Sequence, residues 1–276
     1  MGSTVERLLV RTWNLFHGNT KPPGRQAFLE EMVRLVCADA PDVVCLQEVP
    51  VWALARLHRW SGMTVVAAVA KRPALGPLPS NPEIGRILTD LNHGLFRSAF
   101  TGQANAVLVD PQAALLEHRR LVLNPFRYRR DQARRLQLGR TARLAWAVER
   151  RVCQALRIRA AMGTLVVGNL HATSYSLDKR LADAELLRAA AFVDGFASPG
   201  ESVVLAGDFN LSVRTSRTLA ELMSTEWGFS GATPAGIDHV LVRGLSAGEP
   251  QVWPAARRMR GDRLLSDHAP VEVKIG

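Results

Sequence analysis

The sequence predicts one domain in which buried β-strands alternate with amphipathic helices, and three observations carry that expectation. Short apolar, β-branched runs recur along the chain, among them Val43-Val44-Cys45-Leu46, Thr164-Leu165-Val166-Val167 and Val203-Val204-Leu205; runs of this kind suit buried strands. Helical periodicity separates several of them. Phe28, Met32, Leu35 and Val36 share one face within 25–39, and Leu181, Ala184, Leu187 and Ala191 share another within 176–196. No linker and no internal repeat interrupts the 276 residues, so a single domain over 1–276 is the simplest organisation.

A hydrophobic fraction of 47% with 22% charged residues is that of a globular chain able to bury a sizeable core. The formal net charge of +10 points to an anionic partner: nucleic acid, a phosphorylated small molecule or an anionic membrane surface. A merely solubilising surface gives the same charge. Arginine supplies most of the excess, and guanidinium matches phosphate geometry. Three cysteines, Cys37, Cys45 and Cys153, give no disulfide framework and no zinc-ligand spacing. The N-terminal stretch lacks a secretory apolar core, and the longest apolar run, Met63 to Ala70, is too short to span a bilayer. A reduced, cytoplasmic setting and a monomer without a membrane span are the expectation.

Taken in order, 8–14 reads as a strand ending at Asn14, and Pro22-Pro23-Gly24 as a turn. The helix at 25–39 stops at Pro41, and the strand 42–49 carries a lone acid, Glu48, near its end. Such an acid is unlike a fully buried group unless paired, solvated or metal-bound. A short helix at 51–60 and a strand at 63–70 follow; then the Pro- and Gly-rich loop 72–80, a helix at 82–92 and a strand at 102–109. From 119 to 159 positive charge concentrates, including Arg127, Arg129, Arg130, Arg134, Arg135, Arg143, Arg150 and Arg151, with Phe126, Tyr128 and Trp146 interleaved. Basic residues plus aromatics suit backbone tracking and base stacking, and a solvated charged excursion explains the stretch equally well. Periodicity leaves 131–146 open between helix and strand. Arg150 and Arg151 precede the strand 152–158, which brings them nearer a pocket. Further strands are expected at 164–171, 203–206, 236–242 and 264–271. A helix within 176–196, capped by Ser176 or Asp178, and a short one at 216–223 complete the pattern.

Strand after strand ends in a polar residue: Asn14, Glu48, Asn169, His171, Asp208, Asn210, Asp238, Asp267 and His268. Singly, each has an ordinary explanation in turn chemistry. Together they would form one concave polar rim suited to phosphoester hydrolysis. A hard cation such as Mg²⁺ takes oxygen ligands, which Glu48 and Asn14 supply. His268, oriented by a carboxylate, suits a general base. Asn169, Asn210 and His171 are neutral donors for developing negative charge.

The motifs Thr12-Trp13-Asn14, Leu46-Gln47-Glu48-Val49, Asn169-Leu170-His171, Gly207-Asp208-Phe209-Asn210, Ile237-Asp238-His239 and Ser266-Asp267-His268-Ala269-Pro270 resemble, in order, those of the endonuclease/exonuclease/phosphatase superfamily. The resemblance spans nearly the whole chain. It implies an α+β fold, a four-layer αββα sandwich of two mixed β-sheets packed face to face. It implies Mg²⁺ or Mn²⁺ as cofactor, with Glu48 as principal ligand, Asn14 beside it and Asp267 as a second acid near the metal. His171 stands where a histidine contacts the scissile phosphate, Asp208 where an aspartate aligns or activates water, and Asn210 where an amide binds phosphate oxygen. Asp238 matches the carboxylate that orients His268. Either His268 or Asp208 is the base.

The pattern also departs from that of the family. In its deoxyribonuclease branch the counterpart of His171 pairs with a glutamate on an earlier strand; here that region reads Gln103-Ala104-Asn105-Ala106, without an acid. Asn105 is then a candidate for a phosphate oxygen or for His171, or simply a structural amide. Tyr175 does not sit as the tyrosine of abasic-site endonucleases does. The expected activity is a metal-dependent phosphodiesterase acting on nucleic acid, DNA first, with Asn105, Asn169, Arg150 and Arg151 binding substrate. The alternatives are a phosphoesterase for a smaller substrate (a phospholipid headgroup, inositol phosphate or nucleotide) and a catalytically silent nucleic-acid-binding module.

Overall fold

Strands that are apolar on both faces must be covered on both faces, and that requirement sets the layers here. The computed structural model describes residues 7–24, 26–75, 78–79, 81, 84, 87 and 101–276. Its strands, in chain order, are β1 (Leu8–Asn14), β2 (Thr20–Lys21), β3 (Val43–Val49), β4 (Thr64–Lys71), β5 (Ala74–Leu75), β6 (Leu78–Pro79), β7 (Gln103–Val109) and β8 (Ala114–Val122). They continue with β9 (Val152–Ala160), β10 (Gly163–His171), β11 (Ser202–Asp208), β12 (Asp238–Arg243), β13 (Gln251–Val252), β14 (Met259–Arg260), β15 (Arg263–Leu265) and β16 (Val271–Ile275). The helices are α1 (Leu29–Val36), α2 (Leu54–Ser61), α3 (Phe126–Arg135), α4 (Arg140–Val148), α5 (Arg180–Asp194) and α6 (Arg217–Leu222).

One sheet runs β13-β16-β1-β3-β7-β4 and the other β12-β11-β10-β9-β8. Each is mixed: β1 and β3 are parallel, as are β10 and β11, and their other pairings are antiparallel. Period-two alternation splits each strand between two cores. On β3, Val43 and Cys45 face the space between the sheets, while Val44 and Leu46 face α1 and α2. On β11, Val204 and Ala206 face inward, while Val203 and Leu205 meet α5 and α6. Each such fully buried aliphatic side chain contributes roughly 1.5–3 kcal/mol. The result is helix, sheet, sheet, helix: the expected α+β sandwich.

Several expectations are corrected in detail. The first helix is shorter than 25–39, because Asp39 and Ala40 take left-handed φ of 65° and 48° and turn the chain before Pro41. On α5 the buried residues are Leu181, Ala182, Glu185, Leu186, Ala189, Ala190 and Val193, whereas Leu187 and Ala191 are exposed. The stripe was misplaced because its centre holds a charged residue, Glu185. The N-cap position is Lys179 and neither Ser176 nor Asp178 occupies it; Asp178, one residue earlier, accepts from Arg180 N at 3.1 Å. Residues 119–122 and 152–159 belong to β8 and β9, so the arginine-rich excursion is only the segment between them. Residues 131–135 and 140–146 are helical, joined by a turn at 136–139 in the hairpin α3–α4. The 72–80 loop contains the β5–β6 pair. The last expected strand is broken at 266–270, between β15 and β16. The helix expected at 82–92 lies, apart from 84 and 87, outside the described residues.

Candidate active site

Three acidic or basic residues arrive side by side because of sheet register. His171 ends β10, Asp208 ends β11 and Asp238 begins β12; His171 is paired with Asp208 and Asp208 with Asp238. The neighbouring sheet brings Asn14 to the same rim, and Asn14 Nδ2 donates to Asp208 Oδ2 at 2.9 Å. His268 enters from the loop before β16. Its Nδ1 donates to Asp238 Oδ2 at 2.8 Å, and its Nε2 stands 3.8 Å from Asp208 Oδ2. Ser266 fixes that loop, donating to Asn14 O at 2.7 Å and accepting from His268 N at 3.1 Å.

Two backbone features deliver the acids. Gly207 has φ of 140°, and a Cβ there would lie 1.9 Å from Leu170 O, so only glycine lets β11 approach β10 just before Asp208. Glu48 sits in a register break between Leu46 and Val49 with φ of 53°. A bulge of this kind re-aims a side chain. It places Glu48 Oε2 3.3 Å from His17 Nε2 and Oε1 3.8 Å from His171 Nε2, leaving the carboxylate partly exposed.

Charge in the rim is uneven. Burial, then repulsion from Asp238, pushes the Asp208 pKa up, against the lowering effects of His268 and the Asn14 hydrogen bond; Glu48 adds to the rise. For His268, burial works downward, but the hydrogen bond and charge of Asp238, with Asp208 and Asp267, carry the pKa up to about 10. His171 goes the other way: burial, then the cations of Arg151, His268 and His17, hold it well below the ordinary histidine range. Arg151 Nη1 donates to His171 Nδ1 at 2.9 Å, and Gln103 Nε2 lies 2.9 Å from the same atom. Arg151 Nη1 also lies 3.1 Å from Nε2, but Gln103 approaches Nδ1 alone and the Asp208 carboxylate faces Nε2 at 3.4 Å, which places the proton of neutral His171 on Nε2.

The rim thus gathers Asn14, Glu48, His171, Asp208, Asp238 and His268. Asn210 stands beside them; its backbone N–H donates to Asp208 Oδ1 at 3.0 Å and its Nδ2 donates to Ala172 O at 3.0 Å. Arg151 touches His171, and exposed Arg150 lines the adjoining recess of about 290 Å³ together with Lys71, Gln103 and Glu48. Two expected substrate contacts are corrected. Asn169 is fully buried between the sheets, donating to Leu46 O and Ala106 O and accepting from Gln47 Nε2. Asn105 donates to Val152 O at 3.0 Å and is likewise buried. Alternation points both into the intersheet seam, where amides satisfy backbone carbonyls. Asp267, expected beside the metal, has Oδ2 3.9 Å from Lys21 Nζ and lies outside the Asp208, Asp238 and His268 donor cluster.

Sequence reasoning passed over His17, Gln103 and Glu149. His17 was visible three residues after Asn14. Gln103 was visible as the polar start of a strand whose acid was missing. Glu149, which pairs with Arg151 Nη2 at 2.5 Å, carried no motif.

A divalent cation fits this donor set. Asp208, Asp238 and His268 offer ligand atoms all within 4.8 Å of one another. Asp238 Oδ1 is buried without a hydrogen-bond partner, an orphaned oxygen beside the Asp208 carboxylate. Asp238 and His268 are bonded to each other, and the oxygen donors Asp208, Asn14 and the partly exposed Glu48 are the residues that would hold the ion.

The sequence model of the endonuclease/exonuclease/phosphatase family matches residues 12–268. Among solved structures, one titled endonuclease/exonuclease/phosphatase from Beutenbergia cavernae has TM-score 0.65 at 17% identity, covering 98% of this chain and 71% of that one. A protein titled in the same way from Bacteroides vulgatus gives 0.67 at 13% identity, covering 98% and 99%. TDP2 from Caenorhabditis elegans gives 0.60 at 16% identity, covering 98% and 74%. Likeness at such identity speaks for the fold. No curated protein matches the chain by sequence.

Proposed function

The chain belongs to the endonuclease/exonuclease/phosphatase family, and from that premise we propose that it is a divalent-metal-dependent phosphodiesterase hydrolysing nucleic acid, DNA first, by in-line attack of water. Members of the family are as a rule metal-dependent phosphoesterases. The observation that carries the reading is the junction of His171, Asp208, Asp238 and His268 beside a recess walled by Lys71, Arg150 and Arg151.

Glu48, Asn14 and Asp208 would hold the cation, which neutralises charge developing on the phosphoryl oxygens. The side chains do the rest. Arg150 and Arg151 bind the anionic strand. Neutral His171 offers Nε2–H, and Asn210 its second amide hydrogen, to phosphoryl oxygens. Asp208, buried at the centre of the rim with Oδ2 3.8 Å from His268 Nε2, takes the proton of the attacking water. As the bond from phosphorus to the leaving oxygen breaks, His268, held as imidazolium by Asp238, supplies the proton that oxygen needs.

The arginine-rich hairpin α3–α4 beside the recess favours a polynucleotide over a compact substrate. The modest volume of the recess favours the second reading, a smaller phosphoester. A panel with Mg²⁺ or Mn²⁺ decides: single- and double-stranded DNA, RNA, sphingomyelin and inositol phosphates. Cleavage of DNA ahead of the small substrates is expected. Preference for a lipid headgroup or inositol phosphate would sink the nucleic-acid reading, and no hydrolysis at all would leave a silent binding module.

A further inference from the structure

The arginine-rich hairpin is a built feature with a cavity of its own. A small core of Ala133, Leu138, Ala142 and Trp146 docks it against Leu181, and Trp146 Nε1 donates to buried Glu185 at 2.6 Å. Between α3 and α4 opens a recess of about 260 Å³, walled by Phe126, Arg129, Arg130, Arg134, Arg143 and Trp146 among others. Phe126 is 68% exposed, a large apolar ring held in water at the mouth. The cations are poorly compensated. Asp131 lies 3.6 Å from both Arg130 and Arg134, on the exposed surface where such pairs are weak. Arg129 feels the like charge of Arg150. An exposed phenyl ring beside a weakly compensated guanidinium rim complements a π-face joined to a phosphate.

The recess is also wired to the chemistry. Arg129 Nη1 donates to Asn124 O at 2.9 Å, Asn124 Oδ1 accepts from Arg151 N at 3.1 Å, and Arg151 holds His171. A duplex keeps its bases stacked and offers a concave site only phosphates; a single strand offers base and phosphate together.

We propose that the recess between α3 and α4 binds one unpaired nucleotide of the substrate strand next to the scissile bond, making single-stranded nucleic acid the preferred substrate. The proposal rests on the nucleic-acid reading above. It is tested by fluorescence anisotropy in EDTA, so that no turnover intervenes, with a labelled single-stranded oligodeoxynucleotide, the same sequence as duplex, and phosphatidylserine-containing vesicles. The single strand should bind about tenfold tighter than the duplex. Phe126→Ala should weaken single-strand binding about tenfold, the order expected for one lost stack, and leave duplex binding unchanged, while Phe126→Trp restores it. An unchanged Tm verifies the fold of these surface variants. Equal affinity for both oligonucleotides, or Phe126→Ala without effect on the single strand, overturns the proposal; DNA cleavage in Mg²⁺ would then still uphold the nuclease reading. Binding of vesicles alone, with no oligonucleotide bound or cut, overturns both.

Discussion

Arg151 Nη1 lies 2.9 Å from His171 Nδ1 and 3.1 Å from its Nε2, so a permanently charged donor sits against the edge of the ring. Glu149 anchors the guanidinium through Nε at 2.9 Å and through Nη2. Arg151, with Gln103, thereby fixes the His171 ring besides contributing charge. Arg151→Gln keeps a donor but loses the fork and the charge. We expect kcat to fall about 10- to 100-fold, the range for one lost electrostatic or acid–base contribution. NMR of the His171 ring nitrogens should show mixed tautomers and a raised pKa. Unchanged nitrogen shifts would mean that Gln103 alone fixes the ring.

Asp208 and Asp238 face each other in the β11–β12 register, a like-charge pair that a strand ladder ordinarily avoids. Removing one charge should therefore separate stability from activity. Asp208→Asn should cut turnover about 10³-fold or more, yet its Tm in EDTA should change little, because relief of the repulsion offsets the amide N–H that would face the Asn14 or Asn210 donor. The rise in Tm that Mg²⁺ or Mn²⁺ gives the wild type, by binding only the native state, should be largely lost. Hydrolysis by the wild type should fall to background in EDTA and return with either ion. Full activity in chelator would exclude the metal-dependent mechanism.

Much of this rim was legible because β-strands are periodic and end abruptly. Asp208 and His171 announced themselves as polar residues closing apolar runs, Asp238 and His268 as polar residues just ahead of them, and register alone then made neighbours of the two aspartates and His171. What stayed hidden depended on contacts between distant segments. Asn169 and Asn105 looked like ligand donors because sequence does not tell an amide facing a cleft from one facing a seam between sheets. Gln103 meets His171 across 68 residues, from the other sheet. The helical hairpin was ambiguous because its surface positions are arginines, which blunt the apolar period, and α5 was rotated in the reading by one buried acid, Glu185.

The Asp238–His268 pair predicts a pH dependence with a definite sign. His268 has its folded pKa raised to about 10 from an ordinary value of 6.5. The native state thus holds that proton more tightly than the unfolded chain, and the pair stabilises fully below about pH 6.5 and fades as pH rises through about 10. Asp238→Asn removes the hydrogen bond to a carboxylate and its charge. The urea midpoint of this variant should lie below that of wild type at pH 6–8, and the gap should close toward pH 10. The alkaline limb of kcat/KM, placed near 10 if imidazolium is the acid, should move toward 6.5. A limb that does not move would assign the acid to another group.

Glu185 links the hairpin to the catalytic loop: its Oε1 accepts from Trp146 Nε1 at 2.6 Å and Thr173 Oγ1 at 2.9 Å, its Oε2 from Thr173 N at 2.6 Å. Thr173 lies two residues beyond His171. Burial pushes the Glu185 pKa up to about 7, against the lowering pull of the Trp146 hydrogen bond, the Arg151 charge and Thr173. An acid raised in the native state binds its proton more tightly when folded, so stability should decline as pH climbs from about 4.5 to 7 and level off above. Glu185→Gln should remove that slope. It should also cost roughly 1–3 kcal/mol above pH 7, where the native side chain is a carboxylate, because an amide N–H would face the Thr173 N–H that the carboxylate satisfies. Urea titrations of both proteins across this range measure the slope directly. If Glu185→Gln keeps it, the titrating group lies elsewhere. The same variant should lower kcat with little change in KM for a short diester, since the displaced loop carries His171 rather than the strand-binding arginines.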